Sequence, residues 1–99
     1  MHYLFKQSAA TLFAMSALAT QAYAESPERF CKGYASRAVH AGEVARSVSS
    51  CRHLVAETPQ RWSLNYDQHY AYCMRIYGSG HGMEEDATRE HEIKFCAGH

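Results

Sequence analysis

The sequence predicts an all-α protein: a small, disulfide-stapled three-helix bundle that follows an N-terminal signal peptide. Three observations carry this expectation. Apolar and small side chains recur three and four residues apart through most of the chain, and no strand-like alternation appears. Four cysteines stand 20, 22 and 23 residues apart, too far from one another for a C-x-x-C metal or redox motif. The chain opens with Lys6, an alanine-rich stretch from Ala9 to Thr20, and Ala22-Tyr23-Ala24, a small-x-small cleavage pattern.

The apolar stretch is about twelve residues, short of the ~20 that a membrane-spanning helix requires. The expected division is therefore a signal peptide over 1–24 and a helical cysteine-rich domain over 25–99, exported to the periplasm or secreted. Loss of Lys6 with the leader leaves nine basic against ten acidic side chains. That near-neutral balance argues against a nucleic-acid partner, which would require a basic face. In an oxidising compartment an even number of cysteines reads as two structural disulfides. A domain of this size buries only about 60% of its unfolded surface, so such bridges matter to its stability.

The first helix is expected to open at Ser26-Pro27-Glu28, with Ser26 as the N-cap and Pro27 in the first turn. Cys31, Ala35, Ala38, Gly42, Ala45 and Ser49 then form a stripe of small residues, flanked by Phe30, Tyr34, Val44 and Val48. Thr58-Pro59 repeats the cap-and-proline start for a second helix. Trp62, Tyr66, Tyr70, Cys73 and Tyr77 follow it at helical spacing, and this aromatic stripe is expected to pack on the small one. Gly78-Ser79-Gly80 ends the second helix. The third is expected from about Met83 to Cys96, with Glu84, Glu85 and Asp86 as a solvated first turn and Lys94 in the last. Glu85–Arg89 and Glu90–Lys94 read as exposed pairs four apart. The apolar face of this helix, Met83, Ala87, Ile93, Phe95 and Cys96, is thin.

Cys31 and Cys51 fall on one expected helix, about 30 Å apart at 1.5 Å per residue, which forbids their pairing. In an up-down-up bundle with turns near 57 and 80, Cys51 and Cys96 match in height. Cys31–Cys73 follows by elimination, with a height mismatch that a bend at Gly33 or Gly42, or a later helix start, would relieve. The alternative, Cys31–Cys96 with Cys51–Cys73, mismatches both bridges.

Cys31-Lys-Gly-Tyr34-Ala35, Cys51, Arg61-Trp62, His69-Tyr70 and Cys73 together resemble small exported proteobacterial proteins with a C-x-x-Y-A…C…R-W…H-x-x-W-C signature. The resemblance covers Phe30 to Cys73. It departs at Tyr72, where the pattern has tryptophan, and at His40, where it has glutamine. It implies export and a compact helical module and lends no catalytic residue.

No nucleophile–base or paired-acid arrangement is recognisable, so an enzyme is not expected. Trp62, Tyr66 and Tyr70 could form a sugar-stacking platform, but their register with Cys73 favours a core aromatic stripe. Histidines at 40, 53, 69, 81, 91 and 99 suggest two uses. Metal binding would need a tight cluster, and none occurs in the sequence, so neither a metal site nor a cofactor is assigned. Acid sensing would act through His91, which neighbours the docking face of the third helix. The function expected is a non-enzymatic binding or interaction module whose partner is a protein or another envelope component. The alternative is a histidine-dependent metal-binding or pH-responsive periplasmic stress protein.

Overall fold

The computed structural model describes residues 25–98; the expected signal peptide and His99 lie outside them. The described residues are all-helical, in four helices: α1 (Pro27–Ser47), α2 (Arg52–Glu57), α3 (Tyr66–Ile76) and α4 (His81–Ala97), with a 3₁₀ turn at Ser49–Cys51 before α2. None of these helices is long and apolar enough to cross a membrane.

α1 begins where local chemistry dictates. The Ser26 hydroxyl accepts the Arg29 N–H at 3.2 Å, and Pro27 occupies the first turn. The small stripe is its buried face: Cys31, Ala35, Ala38, Gly42 and Ala45 are buried, joined by Tyr34. The helix ends at Ser47, so Cys51 belongs to the following 3₁₀ turn rather than to the first helix.

The second segment differs most from expectation. Thr58 does not cap a helix. Its N–H and hydroxyl both donate to the Leu54 carbonyl, at 3.0 and 3.2 Å, closing α2, and its hydroxyl accepts the Trp62 indole N–H at 3.1 Å. Committed to those contacts, Thr58 leaves the cap to Asn65, whose side chain accepts the Gln68 N–H at 3.1 Å and starts α3. Residues 58–65 therefore run non-helically along α1, and the Trp62 carbonyl reaches Gly42. An irregular segment advances more per residue than a helix does, up to ~3.3 Å against 1.5 Å. That advance brings α3 to the N-terminal half of α1, and no break in α1 at Gly33 or Gly42 is needed.

The aromatic stripe divides accordingly. Trp62 is fully buried, Tyr70 is half-buried, and Tyr66 is exposed, with the Tyr66 and Tyr70 rings stacked at 6.4 Å. Because α3 starts at Tyr66, its buried positions are Cys73, as expected, and His69.

Disulfides join Cys31 to Cys73 and Cys51 to Cys96. Each anchors its own small core. Cys51–Cys96 sits with Ala45, Leu54 and Trp62, flanked by Val48, Val55 and Ile93. Cys31–Cys73 sits with Tyr34, flanked by Phe30, Tyr70, Tyr72 and Met74. Two bridges and no free cysteine among the described residues are the chemistry of an oxidising, non-cytoplasmic compartment.

Gly42 is the closest approach between α1 and the irregular segment. A Cβ there would stand 2.5 Å from the Trp62 carbonyl oxygen, a backbone atom that cannot swing aside. Gly42→Ala is therefore expected to destabilise the protein by about 1–3 kcal/mol in urea unfolding, despite the better helix propensity of alanine.

Candidate functional site

Of the apolar residues expected to dock α4, only Ile93 and Cys96 reach the core. Met83 and Phe95 are 69% and 65% exposed, and Ala87 is exposed as well. Its buried positions are Gly82, Arg89 and Cys96, one stripe seven residues apart. Gly82 lets the first turn lie against Phe30 and Tyr34 of α1. Seven residues on, the helix presents a guanidinium where an apolar side chain would be usual.

Arg89 is 4% exposed. Its Nε donates to the Arg61 carbonyl at 3.0 Å and its Nη2 to the Tyr34 hydroxyl at 2.9 Å, while the guanidinium carbon lies 5.0 Å from the Tyr34 ring centroid. One side chain of α4 thereby ties together α1 and the irregular segment. Nη1 has no hydrogen-bond acceptor among the described residues; Asp86 Oδ1 stands 3.6 Å away. A buried cation is tolerable only when paired and hydrogen-bonded, and this one is only partly so.

The acidic start of α4 is not simply solvated. Asp86 accepts from Arg37 Nε and Nη2 of α1 at 2.9 and 2.7 Å. Glu85 accepts from Arg61 Nε and Nη2 at 3.2 and 3.3 Å, so it pairs with the irregular segment rather than with Arg89. Glu92 adds a third contact, 3.5 Å from Arg61 Nη1. The Glu85 carboxylate holds the Arg61 pKa above its ordinary value against the opposing effect of burial. Glu84 alone stays outside, beside His81 at 3.1 Å, and Glu90 and Lys94 meet on the surface at 3.1 Å.

His69 is the buried histidine, 3% exposed on α3. Its Nε2 lies 2.8 Å from the Ser63 carbonyl, which can only accept, so Nε2 carries the proton. The ring meets Tyr34 edge-on at 6.4 Å. Burial pushes the His69 pKa down; the Ser63 carbonyl opposes this and the Arg89 charge adds to it. Burial likewise raises the Tyr34 pKa, against the hydrogen bond from Arg89, so the phenol stays neutral.

For a group protonated less readily in the folded than in the unfolded chain, acid favours unfolding. The stability His69 contributes is present above about 6.5, its ordinary pKa, and is lost as pH falls from there through its lowered folded value. Urea unfolding is therefore expected to show stability declining below about pH 6.5. His69→Gln, which keeps a donor for the Ser63 carbonyl, should flatten that part of the curve.

Around this hub opens a cleft of about 720 Å³. Tyr34, His69, Tyr72, Glu85 and Arg89 come from α1, α3 and α4; Thr58 to Arg61 and the exposed side chains of Glu57, Gln68 and Arg75 complete the lining. Arg75 lies over Tyr72 at 5.6 Å, and Tyr72 stands 6.4 Å from Tyr34. Two guanidiniums thus end a short ladder of two rings, Arg89 on Tyr34 and Arg75 on Tyr72.

The expected site residues are distributed elsewhere. Trp62 is sealed in the core, Tyr70 is half-buried against the Cys31–Cys73 core, and Tyr66 is exposed. His91 is exposed on α4, as are His40, His53 and His81. Among the described residues no three histidine, cysteine, aspartate or glutamate side chains converge to hold a metal ion; His99 lies outside them. The sequence carried one usable sign of His69: it stands four residues before Cys73, on the same helical face. It carried none of Arg89, whose partners are a backbone carbonyl 28 residues away and a phenol 55 residues away. Comparison of the chain with protein-family models, with curated proteins and with solved structures gives no match.

Proposed function

We propose that this protein is a non-enzymatic binding module of the cell envelope, exported to the periplasm or beyond after removal of residues 1–24, and that it binds its partner through the cleft over Arg89. The observation that carries this reading is a cleft of about 720 Å³ on a frame closed by two disulfides. That volume falls within the range of sites for small molecules or for a few side chains of a partner. The lining suits binding better than turnover. The groups that could do chemistry already serve the fold: His69 Nε2–H goes to the Ser63 carbonyl, the Thr58 hydroxyl to Leu54 and the Trp62 indole, and the Tyr34 hydroxyl accepts from Arg89. The resemblance to small exported helical proteins, over Phe30 to Cys73, supports export and a compact helical module. A pH-responsive variant of this reading is favoured by one observation, the burial of His69 beside Arg89.

The test is capture from an envelope extract with the oxidised protein, comparing wild type with Arg75→Glu, a reversal of charge at an exposed cleft position. A component retained by wild type and lost with the variant is the expected result. Equal capture by both, or none beyond a reduced and unfolded control, would overturn the proposal.

A further inference from the structure

The cleft contains a charge that the protein only partly answers. Arg89 is nine-tenths buried and more, its Nη1 has no acceptor among the described residues, and its nearest carboxylate, Asp86, lies 3.6 Å away. Asp86 is itself held at 2.7 Å by Arg37, so one carboxylate faces two guanidiniums. The cleft lining carries three arginines, Arg61, Arg75 and Arg89, against two glutamates, Glu57 and Glu85, so its formal charge is positive.

The other charged groups of the lining do not cancel it. Glu85 is engaged with Arg61 through two hydrogen bonds. Glu57 is exposed at the mouth, where water and salt screen it. Arg75 has no carboxylate partner among the described residues, and its contact there is the face of Tyr72 at 5.6 Å. His69, neutral with its Nε2–H turned to Ser63, adds no charge near neutral pH.

We infer that the cleft takes a small oxyanion-bearing ligand, a carboxylate or a phosphate, drawn to the buried Arg89 and contacted at the mouth by Arg75. This rests on the binding reading above and specifies its ligand. The exposed Arg75 guanidinium suits both oxyanions, because its planar donors match two oxygens at once. Arg89, its Nη1 closed to solvent and its Nε and Nη2 engaged, acts through its charge. Tyr72, half-buried against Arg75, offers its ring to the uncharged remainder of the ligand, while Tyr34 behind it is fully buried.

The test titrates the oxidised full protein with succinate, with inorganic phosphate and with uncharged succinamide. Nitrogen–proton correlation spectra follow the Arg89 Nε–H, which its bond to the Arg61 carbonyl shelters from exchange, and the amides of residues 58–63. A saturable shift of these signals with succinate or phosphate, and none with succinamide, is expected; the tighter of the two anions names the class. Arg75→Gln, an exposed change that should leave the remaining spectrum in place, is expected to weaken binding about fivefold, the upper range for an exposed ion pair. No saturable shift with either anion, an equal response to succinamide, or unchanged affinity in Arg75→Gln would overturn the inference. Capture of an envelope component that Arg75→Glu abolishes, with no response to either anion, would reject the oxyanion while leaving the binding module standing. Failure of both experiments would reject both.

Discussion

Replacing Cys51 and Cys96 together with alanine is expected to lower stability by about 2–4 kcal/mol, with α4 the first element to come loose. The two cysteines are 45 residues apart, and opening so long a loop returns considerable freedom to the unfolded chain. Domains of this class have about 5–15 kcal/mol in total, so the loss is a large share. The effect should be uneven because α4 has so little apolar contact. Beyond Cys96, its half-buried Ile93 is the apolar residue that reaches the Trp62 core, while Met83, Ala87 and Phe95 are exposed. Hydrogen exchange by residue, alongside urea unfolding, checks this. Faster exchange in the last two turns of α4 than in α1 is the expected pattern; equal protection would mean that the arginine hub alone holds the helix.

The second large effect is expected at that hub. Arg89→Met should destabilise the fold by about 2–5 kcal/mol, although methionine is apolar and of similar length. The change leaves the Arg61 carbonyl without its donor and the Tyr34 hydroxyl without its partner, and each buried polar group so orphaned costs about 1–3 kcal/mol. A double-mutant cycle separates this from lost packing. Tyr34→Phe removes the orphaned hydroxyl, so the combined variant should be more stable than the two single losses predict, by ~1 kcal/mol or more. Additive losses would show that the bond between Arg89 and Tyr34 contributes little.

Which parts of this architecture were legible in the sequence follows from how local their causes are. α1 was, because Ser26 and Pro27 act within one turn and because a stripe of small residues over five turns has few other uses. Helical content was legible for the same reason. The irregular stretch 58–65 was not. Thr58-Pro59 looks like a helix start, and only the packing of Trp62 against Ala45, Cys51 and Leu54 shows that the threonine is used to end one helix and hold an indole. Once that segment is irregular, the register of α3 changes, and His69 takes the buried place expected of Tyr66, with Tyr70 half-buried beside the Cys31–Cys73 core.

The hub was illegible for a deeper reason. Glu85 and Arg89 stand four apart with the acid first, a pattern that describes an exposed helical pair. Their actual partners, Arg61 for the one and Tyr34 with the Arg61 carbonyl for the other, come from distant segments, and hydrogen bonding to backbone leaves no trace in residue identity. A helix whose apolar face is too thin is nevertheless a signal. Where hydrophobic contact cannot dock an element, polar groups or covalent bridges must, and α4 uses both.

The central claim, that the cleft over Arg89 is where a partner binds, is tested most directly by photocrosslinking in the cell that produces the protein. A benzophenone side chain placed at Gln60, exposed on the cleft wall, is compared with one at Lys32, an exposed position of α1 outside the lining. The account predicts a discrete adduct from position 60, diminished by Arg75→Glu and absent from position 32. Adducts of equal yield from both positions, or an adduct from position 32 alone, would contradict it.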